Sequence, residues 1–262
     1  MDDIVVTRKE YWTEIQINRP DKLNAIREQS AAEILDAMSE VEADRRCAGV
    51  ILTGIEKAFC TGVDTSEQKD EADAIYELWR RRKRSRKVNQ LFRTLPEFTK
   101  PVVAAVEGFA LGGGFEIALL CDFIVAGETA QFGLPEAKLG LMPGGAGTLT
   151  LSRIVGKPLA KELIWTARRL KAPEAQALGI VNHVLPAGEA VAKARELMEQ
   201  IAAVGPLSVM FTKQAIERGA ELPLGEGMAM EADAFFAISM SQDRNEGLAA
   251  FREKRTPAFK GN

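Results

Sequence analysis

Three consecutive glycines, Gly112, Gly113 and Gly114, stand directly before the apolar run Phe115-Glu116-Ile117-Ala118-Leu119-Leu120. Glycine lets a ligand come close to the backbone, and the first N–H groups of a helix lack internal acceptors and sit at its positive end. Such a place stabilises negative charge, either a phosphate or the oxygen of an enolate. A dinucleotide fingerprint would need glycine at Ile117, and no Gly-Lys-Ser or Gly-Lys-Thr ending occurs, which weakens the phosphate reading. A bare glycine triplet is more often a device for close helix packing, so its company matters. Glu116 lies in the first turn after the triplet, and Glu136 follows in Phe132-Gly133-Leu134-Pro135-Glu136, a strand end and turn. Taken singly, each glutamate reads as a solvated or dipole-matching group. Held together beside one substrate, two carboxyls cannot both ionise freely, which yields one acid and one base.

Other reactive side chains offer less. The single histidine, His183, sits in Val181-Asn182-His183-Val184-Leu185-Pro186 and reads as structural or superficial; a Ser or Cys triad would have to use it. Cys47, Cys60 and Cys121 are odd in number and lack metal-ligand spacing, so they read as reduced, buried side chains, and no metal site is expected.

The elements that must position these groups follow from periodicity. Thr13, Ile15 and Ile17 alternate with Glu14 and Gln16 until Asn18-Arg19-Pro20, which predicts a half-buried hairpin strand. Residues 28–43 return Ile34, Leu35, Met38 and Val41 at helical spacing, and Val50-Ile51-Leu52 reads as a short buried strand closed by Gly54. Strand, helix and strand recur at 102–106, 112–121 and 123–126, the order of parallel strands with helical crossovers. Beyond about residue 185, helical segments at 190–203, 207–218, 224–240 and 243–253 predict a helical appendage, broken at Gly205-Pro206 and Leu222-Pro223.

Composition bounds the reading. A formal net charge of −3 in 262 residues, with 27% charged and 46% hydrophobic, describes a soluble globular chain with no forced polyanionic partner. No apolar run approaches the roughly 18 residues of a membrane span. Met1-Asp2-Asp3 places acid where a secretory signal would place base, so the cytoplasm is the expected location. The basic run at 80–87 reads first as a solvated helix face offset by Glu67, Asp70, Glu71 and Asp73; attraction of the phosphates of a small ligand ranks second and RNA a distant third.

The motifs together resemble those of the enoyl-CoA hydratase, or crotonase, family. The likeness runs from Lys100-Pro101-Val102-Val103-Ala104-Ala105-Val106-Glu107-Gly108 through Leu111-Gly112-Gly113-Gly114-Phe115-Glu116, Cys121-Asp122 and Gln131-Phe132-Gly133-Leu134-Pro135-Glu136 to Met142-Pro143-Gly144-Gly145-Ala146-Gly147-Thr148. Asn18-Arg19-Pro20 with Asn24-Ala25, Ala58-Phe59-Cys60-Thr61-Gly62-Val63-Asp64, the stretch 172–186 and Phe251-Arg252-Glu253-Lys254-Arg255 extend it over nearly the whole chain. The resemblance implies an α/β fold, a crotonase-like spiral of repeated β-β-α turns over residues 1–195, followed by a helical C-terminal trimerisation region over 196–262.

It also implies a function. The backbone N–H groups of Val63 and Gly113 would form an oxyanion hole around a thioester carbonyl, Glu136 would handle the proton at the α-carbon, and Glu116 would activate water. Isomerising relatives commonly lose the earlier glutamate, so Glu116 favours hydration of a 2-enoyl-CoA to a 3-hydroxyacyl-CoA. A delta isomerase or another acyl-CoA lyase of the family is the alternative, and an RNA-binding or scaffolding member is more distant. Lys22, Ala25, Asp64, Thr65, Ser66, Phe235, Phe251 and Lys254 match positions that approach substrate or CoA, the last three often from a neighbouring subunit. Coenzyme A is part of the substrate and no separate cofactor is implied. The expected assembly is a homotrimer or a hexamer built as a dimer of trimers. Val63 stands where alanine is common, Thr65-Ser66 where an aliphatic residue and lysine are common, and Thr148-Leu149-Thr150-Leu151 replaces a frequent Thr-Gln-Arg-Leu; these changes bear on acyl pocket and CoA contacts and leave the carboxyl pair intact.

Overall fold

Ile34, Leu35, Met38 and Val41 share one buried face of α1 (Glu28–Ala43), whose bounds are those its periodicity predicts. In the computed structural model, which describes residues 3–67 and 86–262 with the side chains of Glu67 and Arg86 excepted, that helix opens on a side-chain cap. The Arg27 N–H donates to Ser30 Oγ, and Ser30 donates in turn to Asp3 Oδ2 at 2.6 Å, so a donor left over at the helix start is satisfied. Most of the basic run at 80–87 lies outside the described residues; from it, the Lys87 N–H donates to Glu28 Oε2.

After an antiparallel hairpin of β1 (Ile4–Arg8) and β2 (Trp12–Ile17), strands come in pairs, each pair followed by helix. β3 (Gly49–Thr53) and β4 (Ala58–Cys60) precede α2 (Arg86–Glu97); β5 (Val102–Val106) and β6 (Phe109–Leu111) precede α3 (Gly113–Leu119). β7 (Phe123–Gly127) and β8 (Gln131–Gly133) precede α4 (Gly147–Val155) and α5 (Lys157–Thr166). β9 (Leu170–Lys171), α6 (Ala172–Ala177) and β10 (His183–Leu185) close the coil, and His183 pairs with Val125 of β7 through its main chain. The first strand of each pair enters a sheet ordered β1-β2-β3-β5-β7-β10, and the second enters a sheet ordered β4-β6-β8-β9. This is the spiral of β-β-α turns.

β3 and β5 are buried on both faces, as parallel strands are when helices cover both sides. Val50, Leu52, Val102 and Ala104 face the core with α1, whereas Ile51, Val103, Ala105 and Val125 meet Ala190, Ala194 and Met198. Those last three lie at i, i+4 and i+8 on α7 (Ala190–Ala202). The first helix of the expected appendage is therefore a core layer, because its alanine stripe covers the second sheet face, and residue 195 falls within it.

The same helix corrects the reading of β2. Glu14, expected on the solvent side opposite Thr13, Ile15 and Ile17, is buried, because Arg195 of α7 crosses that face and donates to Glu14 Oε1 at 2.7 Å and Oε2 at 2.8 Å, while Trp12 Nε1 donates to Oε1 at 3.1 Å. Burial pushes the Glu14 carboxyl up, but these hydrogen bonds and the Arg195 charge outweigh it and hold the group below its ordinary range.

α8 (Pro206–Gly219), α9 (Leu224–Ser239) and α10 (Gln242–Glu253) complete the chain, with α9 packed on α8. Asp243 accepts from the N–H groups of Lys260 and Gly261, tying the last residues to the start of α10. Leu224, Met228, Phe235 and Phe236 on α9, Met240 just after it and Phe251 on α10 are exposed. Among the described residues no helix is long and apolar enough to cross a membrane.

Candidate active site

The glycine triplet divides into three separate tasks. Gly112 has φ +52°, which L side chains rarely adopt, and a Cβ on it would lie 3.1 Å from Glu136 Oε1. Gly114 lies so close to β4 that a Cβ would sit 2.1 Å from Cys60 O. Gly113, between them, starts α3, and a Cβ there would lie 3.5 Å from Val63 N and 3.2 Å from Val63 Cγ2. The close approach of Gly114 to Cys60 thus sets the amide end of α3 beside the loop that follows β4. Among the described residues neither the Val63 N–H nor the Gly113 N–H has an acceptor; Ile26 bonds the flanking residues instead, donating to Gly62 O at 2.8 Å and accepting from Asp64 N at 2.7 Å.

The carboxyls differ in kind. Glu116 is buried, and its Oε1 accepts from Gly145 N and Gly147 N at 2.8 Å each. Those glycines flank Ala146, which holds φ +81° ahead of α4, so alternate amides of the turn converge on one oxygen. Gly147 has no room for more, since a Cβ would be 2.8 Å from Glu116 Oε1. Burial raises the Glu116 carboxyl above its ordinary range against the pull of these amides. Glu136 enters the short 3-10 turn Pro135–Leu139, is half-buried, and its Oε2 is enclosed with no hydrogen-bond partner among the described residues. Burial also raises this carboxyl, and the charge of Glu116 raises it further. The two expected carboxyls are therefore electrostatically coupled, one clamped by amides and one unengaged at Oε2.

The 19–27 segment braces the first loop. Asn24, buried at φ +59°, donates to Ala58 O at 2.8 Å and Phe59 O at 3.2 Å and accepts from Arg19 N. Thr61 Oγ1 donates to Leu23 O at 3.0 Å. Arg19 bonds Ala25 O and pairs with Asp64 at 3.0 Å, and Asp3 lies 3.7 Å away. Asp64 is buried, and Oδ1 accepts from the Ser66 hydroxyl at 2.6 Å and the Ser66 N–H at 3.0 Å; those bonds and Arg19 hold its carboxyl below the ordinary range. Lys22, Ala25, Asp64, Thr65 and Ser66 thus gather around the Val63 loop, with the Asp64 side chain engaged inside the protein. Phe235 on α9 and Phe251 on α10, followed by Lys254, belong instead to the terminal helices, and both rings are exposed.

In the sequence Arg19 carries no signal beyond its place in Asn18-Arg19-Pro20. Gly145 and Gly147, the amides that hold Glu116, are marked in the sequence only by their spacing around one residue. Arg19→Ala removes the guanidinium that pairs with buried Asp64, at a cost of about 3–5 kcal/mol, and loosens the Val63 loop, while Asp3 keeps its bonds from Arg27 and Ser30. The expected result is a lower Tm together with a fall in kcat/KM of roughly 100-fold, only partly restored in Arg19→Lys. Wild-type turnover in the alanine variant would remove this role.

Two other features decide what the site is not. Burial pushes the Cys60 thiol up to about 12, so it is no nucleophile despite its place at the loop. Cys47 is buried like Cys60, and Cys121 is partly exposed rather than enclosed, its Sγ donating to Ile117 O at 3.3 Å; all three are free. A hollow of about 380 Å³ opens elsewhere, at the starts of β5 and β7, lined by Pro101, Asp122, Phe123, Lys213 and Ile216. None of the residues expected to act in chemistry lines it, and its polar centre is already satisfied by the Lys213–Asp122 pair at 2.8 Å.

Paired strands feeding a second small sheet, with adjacent amide ends and coupled glutamates at its edge, are the architecture of a crotonase-type enzyme. A family model described as enoyl-CoA hydratase/isomerase matches residues 8–262, and the chain belongs to that family. The short-chain-enoyl-CoA hydratase of Clostridium acetobutylicum is 40% identical over 256 residues, 97% of this chain and 96% of its own length. The 2,3-dehydroadipyl-CoA hydratase of Escherichia coli is 37% identical over 263 residues, 100% of both chains. The crystal structure of enoyl-CoA hydratase from Bacillus anthracis has a TM-score of 0.93 at 37% identity, covering 100% of each chain.

Proposed function

We propose that this enzyme adds water across the 2,3 double bond of a 2-enoyl-CoA thioester, giving a 3-hydroxyacyl-CoA. The observation that carries the reading is the pairing of two amides without an acceptor among the described residues, Val63 and Gly113, with two coupled glutamates of unlike environment. The amides accept the charge that develops on the thioester oxygen, each worth roughly 3 kcal/mol of barrier. Glu116, oriented by Gly145 and Gly147, takes a proton from water as its oxygen bonds to C3. Glu136 retains a proton because burial and the neighbouring charge disfavour its ionisation, and it delivers that proton to C2. The oxygen, both protons and the former π pair are then accounted for without a metal or separate cofactor.

Having both glutamates favours hydration over isomerisation. The two relatives above are named for different acyl groups, so the acyl preference is left to a substrate panel. Lys22, Ala25, Asp64, Thr65 and Ser66, beside the first loop, are read as contributing to CoA binding, with Asp64 acting through its bonds to Arg19 and Ser66. The chain is further read as a subunit of a homotrimer or a dimer of trimers, supported by the exposed apolar side chains of α9 and α10; Phe235, Phe251 and Lys254 then reach CoA across a subunit boundary. Loss of conjugated thioester absorbance on incubation with crotonyl-CoA and longer enoyl-CoAs tests the activity, and sedimentation tests the assembly. A wild-type preparation inert toward every enoyl-CoA of the panel would end the first reading, and a monomeric mass would end the second.

A further inference from the structure

The amide clamp on Glu116 and the amide end of α3 lie on different segments, and one aromatic ring stands between them. Phe92, on α2, is partly buried against the main core. A Cβ on Gly145 would lie 2.6 Å from its Cε1 and Cζ and 2.7 Å from Cε2; a Cβ on Gly113 would lie 3.5 Å from the same Cζ. The tip of the ring therefore touches the turn that holds Glu116 and the backbone that presents the Gly113 N–H. α2 is itself seated on α1 and contacts α3, so the ring projects from a supported base. Gly145 has no positive φ that would require glycine; the nearest obstacle to a side chain there is the aromatic ring.

We propose that Phe92 is a positioning residue for this reaction, a spacer that fixes the Gly144–Gly147 turn, and with it the Glu116 carboxylate, at a set distance from the Gly113 amide. This rests on the hydratase reading above. A rigid ring suits the task because it has few rotamers and cannot be compressed, whereas an aliphatic chain would let the turn settle inward. The Gly145 and Gly147 amides are what oppose the upward push of burial on Glu116, so a slack turn moves that carboxyl further up.

The test is a double-mutant cycle on the full-length enzyme. Gly145→Ala, whose new methyl collides with the ring, is expected to lower kcat by roughly 100-fold. Phe92→Leu alone is expected to lower kcat by about 10-fold with KM changed much less, and to move the acid limb of the kcat profile to higher pH. Combining them gives the methyl the vacated space, and the double variant is expected to exceed Gly145→Ala alone by about 10-fold. Additive or worse effects in the cycle would overturn the proposal. If Gly145→Ala does not fold, Phe92→Leu decides: unchanged kcat and an unmoved profile overturn it equally. Wild-type turnover is measured first, so an inert wild type defeats the hydratase reading, whereas an active wild type with additive variants defeats only the role of Phe92.

Discussion

Glu136→Gln and Glu116→Gln are each expected to lower kcat for enoyl-CoA hydration by roughly 10²–10⁴-fold while the chain still folds. The two lose different steps. Glutamine at 116 keeps a carbonyl oxygen for the Gly145 and Gly147 amides but cannot take a proton from water, and glutamine at 136 cannot protonate C2. Wild-type activity should fall on the acid side as Glu116 is protonated and on the alkaline side as Glu136 loses its proton, with the acid limb above the ordinary carboxylate range because burial raises both groups. Stability carries a second signature. Since the folded Glu136 titrates above its ordinary value of 4.5, its favourable contribution is complete below that value and is lost as pH rises through the folded one. Glutamine mimics the neutral carboxyl, so Glu136→Gln is expected to have a higher Tm than wild type near neutrality, by roughly 2–4 °C per kcal/mol recovered, with the gain fading toward pH 4. Near-normal hydration by either variant, or no pH dependence of the Tm difference, would refute the assignment.

Gly114→Ala is the other large effect. Its new carbon would stand 2.1 Å from Cys60 O and 2.6 Å from Cys60 C, backbone atoms that cannot rotate aside. Either α3 or the strand bearing Cys60 must retreat, at a cost of about 1–3 kcal/mol or more. The retreat separates the Gly113 amide from the Val63 amide, and a displacement of about 1 Å in such a pair can cost roughly 100-fold in rate. The expected outcome is a lower Tm with kcat reduced by at least that factor, read by calorimetry and by turnover of an enoyl-CoA. A variant as active as wild type would show that the contact between α3 and β4 does not set the oxyanion geometry.

Features confined to one element were legible before any coordinates. The spacing of Ile34, Leu35, Met38 and Val41 predicts the helix at 28–43, and the unbroken apolar run before Glu107-Gly108 predicts the strand at 102–106. Features that join distant segments were not. Glu14 alternates as a solvent-facing residue should, and nothing nearby announces the guanidinium of Arg195, 181 residues later, that lets it be buried. The first tail helix reads as an appendage because its Ala190, Ala194 and Met198 stripe has meaning only against a sheet face. At the site, Glu116 and Glu136 were readable as a pair, yet the amides that distinguish them lie 29 and 31 residues from Glu116 in a glycine-rich turn whose composition names no partner.

The small sheet ordered β4-β6-β8 has a consequence for how such an enzyme diversifies. These strands run parallel, and each ends where a piece of the machinery begins: Val63 after the first, Gly113 after the second, Glu136 after the third. Successive windings of one coil therefore bring three parts to a common rim. Because each part follows a different strand, an exchange after one strand can alter one part of the machinery while the other two keep their places, so substrate range and bond-making chemistry are free to drift at different rates along the same chain.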